Sequence, residues 1–181
     1  MKKILVPVVA SGLFLLVLSS VMAQDNPVSG KDEAPALSIS QWVKGDPVKL
    51  ADGKGKEIYV VEFWATWCPP CRESIPHLTA LQKKYKDAHV TFIGISEEEA
   101  SVVKPFVQKM GDKMDYHVAI DKDRQTFKAF DDIAEMPGIP TAYVIDKNGK
   151  VVWSGHPMDR LEDVLDKLTR KSVEKPAEAA K

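Results

Sequence analysis

The sequence predicts an α/β fold in which one mixed β-sheet is covered on both faces by helices. Three observations support this prediction. Short β-rich runs alternate with stretches of helical pattern along most of the chain. A hairpin signal followed by one amphipathic helix ends the pattern and adds antiparallel pairing. The run at 58–64, Ile-Tyr-Val-Val-Glu-Phe-Trp, is almost wholly apolar and is typical of a buried strand.

The N-terminal residues resemble an export signal. Two lysines precede an apolar run of about 15 residues, and small residues follow it up to Ala23. We therefore predict a signal peptide at 1–23 and a periplasmic or otherwise extracytoplasmic location. The alternative is an uncleaved membrane anchor at 4–20, although the run is shorter than the span of about 20 residues that a bilayer needs. The rest is predicted as a linker at 24–36, one domain at 37–171 and a disordered tail at 172–181.

The elements of the domain follow from periodicity and turn residues. Residues 37–50 show short apolar alternation with a turn at Gly45-Asp46-Pro47. Strands are predicted at 58–64, 89–95, 116–120, 141–145 and 151–154. Helices are predicted at 69–85, 97–110, 123–130 and 158–172. A hairpin turn is predicted at 146–149, and the three acids at 97–99 predict a solvated helix start.

Composition narrows the possible partners. The chain has 25 Lys and Arg against 26 Asp and Glu, which gives a formal charge of −1. This balance gives no indication of nucleic-acid binding, so we expect no nucleic-acid partner.

The chain has 2 cysteines. A small exported domain that depended on disulfides would have more, so the core must be stable without them.

Both cysteines, Cys68 and Cys71, lie in the string Trp-Cys-Pro-Pro-Cys-Arg after the strand at 58–64. Haem attachment requires a histidine directly after the second cysteine, and Arg72 occupies that position. Structural zinc requires four ligands, but the histidines are scattered. An inert disulfide across so small a loop would stabilise little. A redox dithiol remains, with Cys68 an exposed thiolate at a helix N-terminus and Cys71 more buried one turn inside.

Two motifs together resemble a known family. WCPPC after a hydrophobic strand, with Gly-Ile-Pro-Thr at 138–141, resembles thioredoxin. The signal and the string FWATWCPPCRESIP are similar to the exported TlpA/ResA branch, which is related to the DsbE proteins of cytochrome c maturation. The resemblance covers about residues 37–168. It implies a thioredoxin fold in a bacterial protein, with a strand–helix insert at about 91–120 between the CxxC helix and the cis-proline loop.

The resemblance also implies roles for individual residues. Cys68 matches the attacking thiol and Cys71 the resolving thiol. Pro140 matches the cis-proline of the loop that faces the dithiol, where the backbone of the preceding residue pairs with the substrate chain. Substrate binding is therefore expected at Trp67, Ile139, Pro140 and Thr141.

Glu62 matches the buried acid of thioredoxin and is expected to accept the proton of Cys71. Burial would raise its pKa towards working pH, which suits a base. The alternative is that Glu62 faces solvent from an edge strand. The chain departs from the ResA branch at Ser74, where that branch often carries a glutamate. The neighbouring Glu73 points about 100° further around the helix.

The expected function is that of an extracytoplasmic thiol–disulfide oxidoreductase that reduces protein disulfides. We expect no metal and no cofactor apart from the Cys68–Cys71 disulfide, and the resemblance implies a DsbD-like membrane electron donor. Pro69 and Pro70 lack N–H groups, so the first donor left for the Cys68 sulfur is the Cys71 amide, which favours a reducing dithiol.

The alternatives to this function are a thiol peroxidase, a disulfide-forming oxidase and a non-catalytic scaffold. A peroxidatic cysteine usually follows Pro-x-x-x-Thr-x-x, a pattern that Cys68 lacks.

Overall fold

A computed structural model describes residues 32–134 and 138–174. The strands, in chain order, are β1 (Ile39–Lys44), β2 (Ile58–Trp64), β3 (Val90–Ser96), β4 (His117–Asp121), β5 (Thr141–Ile145) and β6 (Val151–Gly155). The helices are α1 (Pro69–Tyr85), α2 (Ala100–Met110), α3 (Gln125–Ala134) and α4 (Leu161–Glu174). The predicted bounds of β2, α1 and β5 are confirmed at both ends.

The strands form one six-stranded sheet in the order β1-β4-β3-β2-β5-β6. β2 pairs in parallel with β3, and β3 with β4, whereas the β1–β4, β2–β5 and β5–β6 pairs are antiparallel. The predicted mixed sheet of a thioredoxin fold is therefore confirmed. The unit β3–α2–β4 is the predicted strand–helix insert, and it lies between α1 and the loop before β5.

The two faces of the sheet carry separate apolar clusters. β2 is buried at all seven positions because it has neighbours on both edges and helices over both faces. Val60 and Trp64 pack on the face covered by α1, α2 and α4. Val61 and Phe63 pack on the face covered by α3 and the segment around β1. Glu62 therefore shares the α1 face with Val60 and Trp64, because successive strand residues alternate.

Several elements begin later than predicted because of backbone conformation. His89 has a φ of 59°, so β3 starts after it. Asp123 and Arg124 have φ values of 55° and 60°, so α3 starts at Gln125. Arg160 has a φ of 57°, so α4 starts at Leu161. Left-handed residues cannot belong to a right-handed helix.

The ends of the domain also differ from the prediction. Residues 37–50, which received no element, supply the edge strand β1. The predicted linker at 24–36 includes ordered contacts: the Ala34 N–H donates to the Gly149 carbonyl at 2.8 Å, and a Glu33 carboxylate oxygen lies 3.6 Å from Lys54 Nζ. Helix α4 includes residues 172–174 of the predicted tail. The predicted signal at 1–23 and the rest of the tail lie outside the described residues.

The described ranges contain no helix with both the length and the apolarity needed to cross a membrane. Those ranges also contain no group of three or more His, Cys, Asp or Glu side chains placed to hold a metal ion. The expectation of a protein without metal or added cofactor stays a prediction.

Asp121, the last residue of β4, caps α3. Its side chain is buried, and its two carboxylate oxygens accept from the N–H groups of Thr126 at 3.0 Å and Phe127 at 2.8 Å. These N–H groups lie in the first turn of the helix, where they have no partner within the helix. The cap therefore sets where α3 begins and holds Phe127 over the sheet.

We predict that Asp121→Ala lowers the free energy of unfolding by about 1–2 kcal/mol, because one buried and one partly buried N–H group lose their acceptor. Urea denaturation of the oxidised protein measures this loss. Asp132→Ala, at an exposed position of the same helix, is the matched control and should change stability by less than about 0.5 kcal/mol. Equal losses in both variants would contradict the capping role.

Candidate active site

The turn between β2 and α1 holds the two cysteines. Cys68 is the N-cap residue of α1, with extended backbone at φ −87° and ψ 107°, and the prolines occupy the first helical positions. The Cys71 N–H donates to Cys68 Sγ at 3.2 Å. The two sulfurs form a disulfide, 2.03 Å apart. The predicted dependence of the Cys68 sulfur on the Cys71 amide is thus present in the structure.

Both cysteines are buried in the disulfide form. Cys68 is only 3% exposed, and Cys71 is completely buried. Both side chains pack into the apolar cluster on the α1 face. Cys71 is the more buried of the two, and the exposed Cys68 thiolate of the reduced protein stays a prediction. Trp67, which directly precedes Cys68, is 69% exposed and is the most exposed large hydrophobic side chain among the described residues.

The loop before β5 lies beside the carboxyl end of β2. The Ile139–Pro140 peptide bond is cis. The Thr141 hydroxyl donates to the Gly138 carbonyl at 2.9 Å, and Thr141 pairs with Phe63 across the β2–β5 ladder. Ile139 packs against the cluster that contains both cysteines. The strand register therefore brings the predicted substrate loop and the predicted dithiol to one end of the sheet.

A surface cleft of about 420 Å³ opens between this loop and the start of α1. Trp67 and Ile139 line it together with Arg124 and Phe127 at the start of α3. Pro140 and Thr141 are buried and do not line the cleft. Of the four predicted substrate-binding residues, Trp67 and Ile139 thus share an accessible surface, whereas Pro140 and Thr141 are placed to support it.

Glu62 lies inside the sheet. It is 1% exposed and stands between Gly94 of β3 and Ala142 of β5, two residues with small or no side chains. Burial raises the pKa of Glu62 to about 8, and the hydrogen bond from Ser74 opposes this rise. A carboxyl that titrates near neutral pH can both accept and release a proton there. The alternative of a solvent-facing Glu62 on an edge strand is wrong.

Ser74 connects this carboxyl group to α1. It is completely buried, and its hydroxyl lies 2.8 Å from the Cys71 carbonyl oxygen and 3.4 Å from Glu62 Oε1. A hydroxyl has one proton, so it donates to one of these oxygens at a time. Glu73 is exposed on the surface of the helix. The position that departs from the ResA branch is therefore part of the polar contact between Cys71 and the buried Glu62.

Glu98 is a site residue that the sequence did not reveal. Its carboxylate accepts from the Thr66 N–H at 2.6 Å, from the Thr66 hydroxyl at 2.7 Å and from the Ser96 hydroxyl at 3.2 Å. The interpretation of residues 97–99 as a solvated helix start is wrong for Glu98, because it holds the turn before Cys68. The sequence does contain a signal for this contact. Thr66 and Glu98 each follow one of two strands that pair in parallel, so their side chains meet at one edge of the sheet.

The fold, the capped Cys-x-x-Cys disulfide and the cis-proline loop together define a thioredoxin-fold thiol–disulfide oxidoreductase. Comparisons with known proteins are consistent with that class. Residues 31–154 match the model of the AhpC/TSA family. The chain is 35% identical to the thiol-disulfide oxidoreductase ResA of Bacillus thuringiensis subsp. konkukian over 141 residues, which cover 76% of this chain and 77% of the relative.

Two further proteins extend this comparison. ResA of Bacillus subtilis is 29% identical over 137 residues, which cover 75% of this chain and 72% of the relative. The crystal structure of a thiol:disulfide interchange protein of the thioredoxin family from Chlorobium tepidum TLS superposes with a TM-score of 0.64 at 30% identity. That alignment covers 81% of this chain and 99% of the other. The chain belongs to the AhpC/TSA family and, by its relatives, to the thiol-disulfide oxidoreductases of the ResA type.

The raised pKa of Glu62 predicts that the free energy of unfolding falls as pH rises. Its pKa in the folded protein, about 8, lies above the ordinary value of 4.5. The folded state therefore binds more protons than the unfolded state between these values, and the stability present below pH 4.5 is lost as pH rises through 8. Relative to Glu62→Gln, we expect the oxidised native protein to lose roughly 3–5 kcal/mol of unfolding free energy between pH 5 and pH 9.

Denaturant titrations of both proteins at several pH values measure this difference. Glu73→Gln, an exposed change one residue before Ser74, is the matched control and should follow the native curve. Parallel curves for native protein and Glu62→Gln would show that Glu62 does not carry a raised pKa.

Proposed function

We propose that this protein is an extracytoplasmic bacterial reductase of protein disulfides, with Cys68 as attacking thiol, Cys71 as resolving thiol and Glu62 as base. The observation that carries the proposal is that the Cys71 amide donates to Cys68 Sγ, while Pro69 and Pro70 have no N–H to donate. The CxxC pair, its place at a helix N-terminus and the named relatives support an oxidoreductase. The direction of electron flow rests on the two prolines.

The reaction balances with these groups alone. The reduced Cys68 thiolate attacks one sulfur of a substrate disulfide, and the other substrate sulfur leaves as a thiolate. Glu62 accepts the proton of Cys71 as the Cys71 sulfur attacks Cys68 Sγ. The substrate–Cys68 bond breaks, the second substrate thiolate leaves, and the Cys68–Cys71 disulfide forms. Two electrons pass from protein to substrate, so an external donor must reduce the disulfide again.

Substrate binding is proposed at the cleft and its loop. A 69% exposed Trp67 presents an apolar surface beside the disulfide, and Ile139 lies across the cleft from it. Pro140 and Thr141 are proposed to shape the loop so that the Ile139 backbone pairs with the substrate chain. An aromatic surface next to a backbone segment that can pair with another chain suits an extended polypeptide.

Two features bear on where the protein is located and on how its disulfide is reduced again. The apolar N-terminal run supports export, either with cleavage after Ala23 or with residues 4–20 kept as a tether. An oxidising compartment does not supply electrons to a reductant, so a membrane donor of the DsbD type is proposed as partner. The similarity to ResA and to a putative DsbE of Chlorobium tepidum, at 28% identity, supports a role in cytochrome c maturation.

The direction of electron flow is tested by the reduction potential. A strong oxidant stabilises its reduced thiolate through N–H donors and positive charge, and here the prolines remove two donors. We predict a potential nearer to about −270 mV than to about −120 mV, measured by equilibration with glutathione. Pro69→His adds a donor and a possible charge, and should raise the potential by about 30–60 mV.

Pro105→His, at an exposed proline within α2, is the control and should leave the potential unchanged. A native potential above about −150 mV would overturn the reductase direction and favour a disulfide-forming oxidase.

The roles of the two cysteines are tested by trapping. Cys71→Ser cannot resolve the mixed disulfide, so we expect the exported protein to accumulate adducts that dithiothreitol releases. Adducts should fall by at least about tenfold in the Cys68→Ser/Cys71→Ser double variant, because no attacking thiol remains. Mass spectrometry of the adducts identifies substrates and donor. Adducts of equal abundance on Cys68→Ser would reverse the assignment of the two thiols.

A further inference from the structure

Three buried polar groups on the α1 face of the sheet have no hydrogen-bond partner among the described residues. They are Glu62 Oε2, the indole N–H of Trp64 and the hydroxyl of Tyr116. Leaving such groups unpaired in an apolar core is costly, so each one requires an explanation. That all three lie on one face, around a carboxyl group with a proposed proton-transfer role, indicates a common cause.

The strand register brings these groups together. Glu62 and Trp64 alternate to the same face of β2, and Gly94 of β3 is the lateral neighbour of Glu62. Tyr116 directly precedes β4, and its ring lies over Gly94. A methyl group added at Gly94 would be 2.9 Å from Tyr116 Cε2 and 3.1 Å from Trp64 Nε1. Only glycine therefore lets the Tyr116 ring and the Trp64 indole approach the strand beside Glu62.

The charge environment connects Tyr116 to Glu62. Burial raises the pKa of Tyr116 well above its ordinary value, and the Glu62 carboxylate raises it further. Tyr116 therefore keeps its proton and remains a donor at working pH. Of the groups that face Glu62, α1 supplies Cys71 and Ser74, and β3 and β5 supply Gly94 and Ala142. Burial and the Ser74 hydrogen bond are the causes of the shifted pKa of Glu62, and no charged side chain of the described residues contributes to it.

We propose that Tyr116 is a positioning residue for Glu62: its hydroxyl and the Trp64 indole N–H donate, through buried water, to the Glu62 carboxylate. The Tyr116 hydroxyl and Glu62 Oε2 form no direct hydrogen bond. A buried water needs two to four polar partners, and these three groups supply that number. The inference rests on the proposed role of Glu62 as base, and it explains how a carboxyl in an apolar core can be charged before it accepts the proton of Cys71.

Neither donor transfers its own proton in this arrangement. The Cys71 proton moves to the Glu62 carboxylate, while Tyr116 and Trp64 only offer hydrogen bonds that favour the charged form before transfer. Removing one donor should therefore disfavour the charged form of Glu62 and shift its titration upward.

The test is the titration of Glu62 itself in the oxidised protein, where Cys71 does not titrate and coupling to its thiol is absent. The carboxyl ¹³C shift of Glu62 is followed by NMR against pH. In Tyr116→Phe, which removes only the hydroxyl, we expect the midpoint to rise by about one pH unit. Tyr143→Phe removes a hydroxyl from a buried tyrosine on the opposite face and should leave the midpoint unchanged. An unchanged midpoint in Tyr116→Phe overturns the proposal.

A second measurement addresses the water. We expect the Trp64 indole N–H of the native protein to show a nuclear Overhauser effect to a long-lived water molecule. The absence of that cross-peak would overturn the water bridge, even if the midpoint moved.

Kinetics separates this inference from the base role. In the reduced protein, the rate of resolution by Cys71 at pH 7 should fall about tenfold in Tyr116→Phe, which is the rate equivalent of one pH unit. If Glu62→Gln slows resolution but Tyr116→Phe leaves both the rate and the midpoint unchanged, only the positioning role is wrong. If Glu62→Gln leaves resolution unchanged across pH 6 to 9, the base role itself is wrong, and the positioning role falls with it.

Discussion

The central placement of β2 is the constraint on which the rest of the structure depends. Its seven residues are buried, with β3 on one edge and β5 on the other. A strand in that position delivers Cys68 to the start of a helix and aligns Thr141 with Phe63. It also leaves Glu62 without access to bulk solvent. The two cysteines, the cis-proline loop and the buried acid are therefore positioned by one strand and its two ladders.

The two cysteines have different electrostatic surroundings. On the outer side, the prolines leave the Cys68 sulfur with the Cys71 amide as its donor from the motif. On the inner side, Ser74 lies between the Cys71 carbonyl and Glu62, within a cluster that is otherwise mostly apolar. The motif thus leaves the Cys68 sulfur few N–H donors, because Pro69 and Pro70 have none. Charging Glu62 in this apolar cluster is costly unless buried donors offset the cost.

Much of the fold could be predicted because local patterns and global packing agree. The bounds of β2, α1 and β5 follow from a β-rich run, a proline start and the residues after Pro140. The cysteines and the cis-proline loop were found through short motifs. Glu98 was missed because its partner, Thr66, is distant in sequence and becomes a neighbour only through the β2–β3 register. Tyr116 was likewise predicted only as part of a strand. The approach of its ring to Gly94, the neighbour of Glu62, depends on the folded sheet.

The first described residues lie at the opposite end of the sheet from the disulfide. Ala34 is bonded to Gly149 in the β5–β6 turn, and β5 runs antiparallel to β2. That turn therefore lies at the amino end of β2, about 20 Å from the carboxyl end where Cys68 lies, at about 3.3 Å per residue. Any attachment to a membrane through the residues before Asp32 would hold the sheet by its far end. The end of the sheet that carries the disulfide and the exposed Trp67 would then lie away from that attachment.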